Sequence, residues 1–274
     1  MPVFVALGAL TSGAFAQSPP PIRLANISTR LAVGTGGNVL IGGFIIDGTQ
    51  PKKVLLRGRG PSLPVIGSLA DPVLELNSSS SGPMGTTDNW RDTQEDEVRA
   101  TIFSPRDDHE SVAIRTLAPG QYTVILSGKG QTTGVGLVEI YDLDGTVDSK
   151  LANIATRGFV STGDNVLIGG TIVMGNGTTD VLFRAIGPSL LPFGIGNALQ
   201  DTTLELFNGQ GSRIATNDDW QDSQKTEIEA TKIAPTDPRE AAILRSLSPG
   251  NYTAIVRGKN NTSGVGLIEA YQVK

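Results

Sequence analysis

The chain contains no cysteine and a single histidine among its 274 residues. Without cysteine there is no disulfide framework, no thiolate metal site and no cysteine nucleophile. His109 is the only residue of the type that most often serves as a base near neutral pH, and Arg239 takes its place in the second half of the chain. No Gly-x-Ser-x-Gly nucleophile motif is present. The sequence therefore favours a non-enzymatic protein, with catalysis by two carboxylates left open.

An excess of basic residues and long apolar runs are also missing. The formal charge of -5 and the pI of about 5.0 leave no global basic surface for phosphate groups, which argues against nucleic acid and anionic membranes as partners. The longest apolar stretch lies within the first sixteen residues. A membrane-spanning helix needs about 20 apolar residues, so no membrane span is predicted.

The N-terminal stretch instead resembles a secretory signal. An apolar run is followed by Ala14-Phe15-Ala16, which suits cleavage before Gln17, although no Lys or Arg precedes the run. This predicts an extracellular or cell-surface protein, with residues 17–21 as a proline-rich spacer. The alternative is an apolar tail that completes a neighbouring subunit's sheet. Its assembly residues would be Val3, Phe4, Val5, Leu7 and Leu10.

What the chain does contain is a duplication. The segment Asn-Val-Leu-Ile-Gly-Gly occurs at residues 38–43 and again at residues 165–170. Sliding the sequence on itself gives roughly 45% identity over about 118 positions. Two domains are therefore predicted, repeat 1 at residues 22–145 and repeat 2 at residues 146–274, each of ordinary domain size.

Short Val-, Ile- and Leu-rich runs separated by turn residues predict an all-β fold, two tandem jelly-roll-like β-sandwich domains with about eight strands each. The strands of repeat 2 are predicted at residues 151–160, 165–174, 179–186, 202–207, 213–217, 241–247, 251–258 and 265–273. The Gly-Gly pair is expected to form a bulge or a close backbone approach at the end of its strand.

One short helix per repeat is predicted, over residues 93–102 and 223–233. Asp92 and Asp222 precede these segments and would cap their free N–H groups. The lysines of Gly128-Lys129-Gly130 and Gly258-Lys259-Asn260 lie between two strands, so we interpret both motifs as hairpin turns and not as phosphate loops.

The acidic cluster after the fifth strand of each repeat suggests calcium. Closely spaced carboxylates on a loop suit this ion, and Asp107, Asp108 or Asp237 could add ligands from a second loop. No other cofactor is expected. The plain alternative is that these residues cap helices and make turns. The candidate ligands are Asp88, Asp92, Asp218, Asp219 and Asp222.

Aromatic residues are few, and Trp90 and Trp220 are the candidates for stacking on a glycan, together with Tyr122 and Tyr252. Duplicated strand aromatics are more often core residues. The repeated charged residues, in contrast, predict buried Arg–carboxylate pairs, since an unpaired buried charge is costly. They are Arg57 and Arg184, Glu75 and Glu205, Glu110 with Arg115, and Glu240 with Arg245.

The ordered motifs Leu-Ala-Asn-Ile, Asn-Val-Leu-Ile-Gly-Gly, Arg-Ala-Ile-Gly-Pro-Ser-Leu, Asn-Asp-Asp-Trp and Gly-Val-Gly-Leu-Ile-Glu-Ala-Tyr resemble repeat modules of secreted and surface proteins of environmental bacteria. The resemblance covers nearly everything after Pro21. Residues 247–256 and 264–271 are also similar to the pre-peptidase C-terminal β-sandwich. These resemblances imply display, adhesion or assembly.

The sequence thus favours an extracellular structural subunit that self-associates into a filament, layer or matrix through strand edges and domain contacts. A head-to-tail contact like the one between the two repeats would propagate into a fibre unless its rotation closed a ring. The alternatives are a carbohydrate-binding or adhesion module, with glycans as partners, and an accessory domain pair of a secreted hydrolase.

Overall fold

The computed structural model describes residues 21–273, and nearly all of its regular structure is antiparallel β-sheet. The signal or donor-tail prediction for Val3, Phe4, Val5, Leu7 and Leu10 lies outside the described residues. The strands are β1 Arg23–Val33, β2 Leu40–Asp47, β3 Lys52–Arg59, β4 Pro72–Ser78, β5 Gly82–Thr87, β6 Ser111–Leu117, β7 Gly120–Gly128, β8 Gly134–Asp142, β9 Lys150–Val160, β10 Leu167–Met174, β11 Thr179–Ile186, β12 Thr202–Asn208, β13 Arg213–Asn217, β14 Ala241–Leu247, β15 Gly250–Gly258 and β16 Gly264–Gln272. In the described residues no helix is long and apolar enough to cross a membrane.

Each repeat has the strand order of a jelly roll. In repeat 1, strands β1, β8, β3 and β6 are neighbours in one sheet, and β2, β7, β4 and β5 in the other. Repeat 2 reproduces both orders. The all-β, jelly-roll prediction is confirmed, and the predicted strands of repeat 2 agree with the observed ones to within two residues.

The two repeats are joined edge to edge through their first two strands. Strand β1 pairs with β8 of its own repeat and, on its other side, with β10 of repeat 2. Strand β9 pairs in the same way with β16 and with β2 of repeat 1. The two contacts are equivalent, because Ile27 pairs with Thr171 where Ile154 pairs with Phe44. The chain therefore has approximate twofold symmetry.

The result is two continuous sheets of eight strands each. Sheet I has the order β13-β12-β15-β10-β1-β8-β3-β6, and sheet II has the order β5-β4-β7-β2-β9-β16-β11-β14. One ladder pair, Leu24 with Leu151, links the sheets where β1 and β9 meet. The division into two separate sandwiches is not confirmed, since each sheet contains half of each repeat.

One hydrophobic core runs through both repeats. Leu24, Ile27, Leu151 and Ile154, from β1 and β9, belong to the same buried cluster as the inward-facing residues of the neighbouring strands. A buried hydrogen bond of 2.9 Å joins the hydroxyls of Thr29 and Thr156 across the symmetry axis. The junction between the repeats is thus part of the buried core.

The Gly-Gly pairs lie in the middle of β2 and β10 and not at their ends. No bulge occurs at either pair; the register shifts lie in the partner strands, at Ala25 in β1 and Ala152 in β9, two to three residues from the glycines. The close-approach part of the prediction holds for Gly170, where an added Cβ would lie 2.6 Å from the hydroxyl of Ser28. Glycine at this position lets strand β1 approach.

The two helices, α1 Glu95–Arg99 and α2 Lys225–Ala230, are shorter than predicted. The prediction that Asp92 and Asp222 cap them is wrong, because the N-cap positions are taken by Gln94 and Gln224 and neither makes a side-chain capping bond. Both glutamines are used to bind a neighbouring strand instead.

Candidate functional site: acidic loops and sheet edges

The acidic loop of repeat 2 folds around a lysine. Lys259, in the turn between β15 and β16, places its Nζ 2.7 Å from Asp218 Oδ2, 3.7 Å from Asp201 Oδ2 and 3.9 Å from Asp219 Oδ2. The hairpin interpretation of this turn is wrong, because β15 and β16 do not pair with each other; the turn connects sheet I to sheet II. Among the described residues, these three aspartates are the only group of three or more potential ligands close enough to hold a metal ion.

Repeat 1 has a weaker version of the same cluster. Lys129 Nζ lies 2.6 Å from Asp88 Oδ2 and 3.7 Å from Asp71 Oδ2, and Asn89 replaces the third carboxylate. Burial and the neighbouring Asp88 charge raise the pKa of Asp71, and burial likewise raises the pKa of Asp201. In each repeat the lysine ammonium group offsets the negative charge of the carboxylates, as the cation would do in a metal site.

The structure brings together only part of the predicted calcium set. Asp218 and Asp219 meet, whereas Asp92 and Asp222 are exposed outside the cluster. The second-loop candidates are engaged elsewhere. Asp108 pairs with Arg91, Asp107 with His109, and Asp237 with Arg239.

Sequence reasoning missed Asp71 and Asp201 because they precede β4 and β12, far from the acidic motif in the chain. Oδ1 of Asp201 and Oδ1 of Asp218 are buried without a hydrogen-bond partner. Calcium stays a prediction, and a calcium titration followed by thermal unfolding tests it.

Both candidate glycan-stacking residues are buried. Trp90 is 2% exposed and Trp220 is 5% exposed, and each belongs to a small apolar cluster beneath its helix. The hydroxyls of Tyr122 and Tyr252 donate to the carbonyls of Ala118 and Ser248 and fix the turns before β7 and β15. The tryptophans therefore offer no surface for a sugar ring.

Buried Arg–carboxylate pairs are found in both repeats, but with a partner other than the predicted one. Arg57 Nε donates to Glu139 Oε2 at 2.6 Å, and Arg184 Nε donates to Glu269 Oε2 at 2.9 Å. The carboxylates come from the last strand of each repeat. Glu205 pairs with Arg213 and Arg257 instead. These ion pairs tie the central strands to their neighbours.

A tyrosine hydroxyl donates a hydrogen bond to the glutamate of each Arg–Glu pair. Tyr271 donates to Glu269 Oε1 at 2.7 Å, and Tyr141 does the same to Glu139. Burial, followed by the Glu269 charge, raises the pKa of Tyr271 to about 12. Burial also raises the pKa of Tyr141. Both hydroxyls therefore stay protonated at neutral pH and act as donors.

The fully buried Glu110 and Glu240 do not pair with Arg115 and Arg245 as predicted. Glu240 Oε1 accepts bonds from the backbone N–H groups of Gly187 and Ser189 at 3.0 and 2.9 Å. Glu110 binds the equivalent turn at Gly60 and Ser62. Each glutamate thus fixes the Gly-Pro-Ser-Leu turn, which explains its presence in both repeats.

The four sheet edges are of two kinds. Strands β6 and β14 are covered, because the amide of Gln94 both donates to and accepts from the backbone of Ile114, at 3.1 and 3.0 Å, and Gln224 does the same to Leu244. Sequence reasoning missed these glutamines, although each stands four residues after the tryptophan of its repeat.

Strands β5 and β13 have no such cover. In the described part of the chain β5 pairs only with β4 and β13 only with β12, and no side chain bridges their outer backbone groups. Strand β5 contains Pro83, which blunts an edge, while β13 contains no proline. The two open edges lie at opposite ends of the double sheet, one in each repeat.

Comparison with known proteins gives no assignment. No protein family matches the sequence, and no curated protein matches it. Among solved structures, the chain is similar to the STIV MCP, with 13% identity, a TM-score of 0.23 and coverage of 92% of this chain and 97% of the other. A structure of Sulfolobus Turreted Icosahedral Virus gives 12% identity, a TM-score of 0.25 and coverage of 92% and 90%. A DUF4785 family protein from Legionella pneumophila gives 10% identity, a TM-score of 0.25 and coverage of 98% and 88%. Likenesses at these TM-scores carry no argument about this chain.

Proposed function

We propose that this chain is a non-enzymatic, extracellular structural protein that self-associates into a surface filament, layer or matrix. The observation that carries the proposal is the pair of open edge strands, β5 and β13, at opposite ends of one double sheet. A subunit with one binding edge at each end is what a linear polymer requires, because each copy then joins two others.

The internal contact is not the propagating one, contrary to the head-to-tail hypothesis drawn from the sequence. The contacts of β1 with β10 and of β9 with β2 are equivalent, so they use the same surface on both repeats and close on themselves. Growth must therefore use other surfaces. The covered edges β6 and β14 leave β5 and β13 for this purpose.

The chemistry of the described residues supports a structural role. The fully buried glutamates hold turns, the buried arginines hold strands, and the acidic loops hold lysines. The single histidine is exposed and contacts Asp107. The apolar residues near the N-terminus add a second route, in which a tail from one copy pairs with an open edge of the next.

Negative-stain microscopy and sedimentation of the purified chain test the proposal. Thr216 in β13 and Thr86 in β5 are exposed on the open edges, so Thr216→Lys or Thr86→Lys is expected to shorten or abolish assemblies while the subunit stays folded. Ser246→Lys, exposed on the covered edge β14, is the matched control and should assemble like the unmodified chain.

Deletion of residues 1–20 distinguishes edge-to-edge assembly from assembly through the N-terminal tail. If only this deletion abolishes assembly, the tail is responsible for the contact. The proposal fails if the full-length chain remains a monomer at high concentration. It also fails if neither the edge variants nor the deletion alters the assemblies.

A further inference from the structure

The approximate symmetry of the molecule is broken by one insertion. The loop after β3 covers residues 60–69, and its counterpart after β11 covers residues 187–199, which is three residues longer. The additional residues, Leu191-Pro192-Phe193, form part of a short 3-10 helix, Pro188–Phe193. Phe193 is 81% exposed, which is unusual for a phenylalanine and leaves its ring above the outer face of sheet II.

Phe193 forms one side of a groove of about 330 Å³. The groove lies over β2, β7, β9 and β16, where the two repeats join. Gly43 and Ala155 are paired neighbours that give it a shallow floor, and Ile41 and Leu267 supply apolar sides. Ligand pockets begin at about this size, roughly 300 Å³, and are typically apolar with few polar groups.

One cationic side chain, that of Arg157, lines this groove. Arg157 on β9 lies between Ile41 and Leu267 in the sheet, and it makes no ion pair or hydrogen bond through its side chain within the described residues. No carboxylate lines the groove, and Thr123 is its only hydroxyl. An unpaired guanidinium at the side of an apolar groove complements a carboxylate attached to an apolar body, because its planar donors match the two carboxylate oxygens.

We propose that this groove binds a small aliphatic or aromatic monocarboxylate. The carboxylate pairs with Arg157, and the apolar part lies on Gly43 and Ala155 beneath the ring of Phe193. The site is independent of the proposed structural function, since the groove lies on a sheet face and the assembly edges lie at the ends of the sheets.

The chain provides its own control. Arg30 is the symmetry equivalent of Arg157, on β1 between Ile168 and Leu137 of sheet I, and it is likewise unpaired within the described residues. The loop beside it is three residues shorter, and its exposed apolar residue is Ile66 in place of a phenylalanine. Arg30 thus presents the same charge without the aromatic ring of Phe193.

Titration of the isotope-labelled full chain with octanoate, followed by amide chemical shifts, tests the proposal. Octanoate is expected to shift the amides of Gly43, Thr123 and Ala155, while octan-1-ol and octylamine bind much more weakly. Arg157→Gln should weaken octanoate binding about tenfold or more, as expected for loss of a charge-assisted bond. Arg30→Gln should leave it unchanged.

Phe193→Ala is a second variant on an exposed residue, so it tests the groove even if Arg157→Gln does not fold, and it should also weaken binding. Thermal unfolding of each variant reports its folding. The proposal is overturned if octanoate causes no shifts in the groove, if octylamine binds equally well, or if both arginine variants bind alike.

Discussion

At the scale of single residues, one contact is an ion pair in repeat 1 and a neutral hydrogen bond in repeat 2. In repeat 1, Lys52 and Asp142 are fully buried and their Nζ and Oδ2 atoms lie 2.9 Å apart, with Arg23 at 3.3 Å from the same oxygen. In repeat 2 the equivalent residues are Thr179 and Gln272, joined by a hydrogen bond of 3.0 Å. The chain thus contains both a charged and a neutral version of one contact.

Replacing Asp142 by Gln should lower the free energy of unfolding by about 3 kcal/mol or more, because Lys52 is then buried without its carboxylate. The double variant Lys52→Thr with Asp142→Gln copies the neutral contact and should recover most of the loss. Urea unfolding of both variants measures the difference. Equal stability of the single and double variants would contradict this account.

The raised pKa of Tyr271 predicts a stability loss in alkali. The pKa in the folded chain is about 12, above the ordinary value of 10, so folding holds the proton more tightly. The contribution is complete below pH 10 and is lost as the pH rises to about 12. The Tyr271→Phe variant should show a shallower loss over this range, measured by urea unfolding against pH and by the absorbance of tyrosinate. An identical pH profile would show that Tyr271 does not titrate as proposed.

At the scale of elements, the strands were predictable and the helix starts were not. Strands β11, β13 and β14 were predicted to the residue, because apolar residues alternate within them and turn residues such as Asn176-Gly177 separate them. The capping rule failed at Asp92 and Asp222. Local sequence cannot reveal that Gln94 and Gln224 bind strands that begin about twenty residues later.

Those glutamines stabilise the covered edges. Gln94→Ala removes two hydrogen bonds to Ile114 and should cost about 1 to 3 kcal/mol, since the strand's backbone groups lose their partner. It should also open β6 and promote association of subunits. Urea unfolding and sedimentation measure both effects. The exposed neighbour Thr93→Ala is the control, and equal behaviour of the two variants would refute the role of Gln94.

At the scale of the whole molecule, the duplication was visible in the sequence but the pairing between the repeats was not. The first strands of the repeats both contain Leu-Ala-Asn-Ile, and their partners β2 and β10 both contain Leu-Ile-Gly-Gly. Pairing within a repeat and pairing between repeats therefore use nearly the same side chains. These motifs alone therefore do not distinguish a contact within a repeat from one between the repeats.

The acidic site shows the same limit. Asp218 and Asp219 were predicted because they are adjacent in the sequence, whereas Asp201 and Lys259 reach them from other turns of the folded chain. Contacts over such distances follow from the jelly-roll topology and cannot be read from local motifs.

The shared core predicts that neither repeat is stable as a monomer. A fragment of residues 22–145 lacks β9 beside β2 and β10 beside β1, which leaves the apolar ends of its sheets uncovered. Because the internal contact is self-complementary, two such fragments should form a dimer in which β1 of each copy pairs with β2 of the other. Light scattering gives the mass, and a stable monomeric fragment would contradict the shared-core description. The intact chain should unfold in one calorimetric transition.

The contact between the repeats also sets an order for folding during synthesis. The chain emerges N-terminus first, so the outer edges of β1 and β2 stay unpaired until β9 and β10, the first two strands of repeat 2, have been made. Contacts between residues so far apart in the chain slow folding. Until residue 174 has been made, a nascent chain therefore presents two unpaired strand edges, at which a second nascent chain could bind in place of β9 and β10.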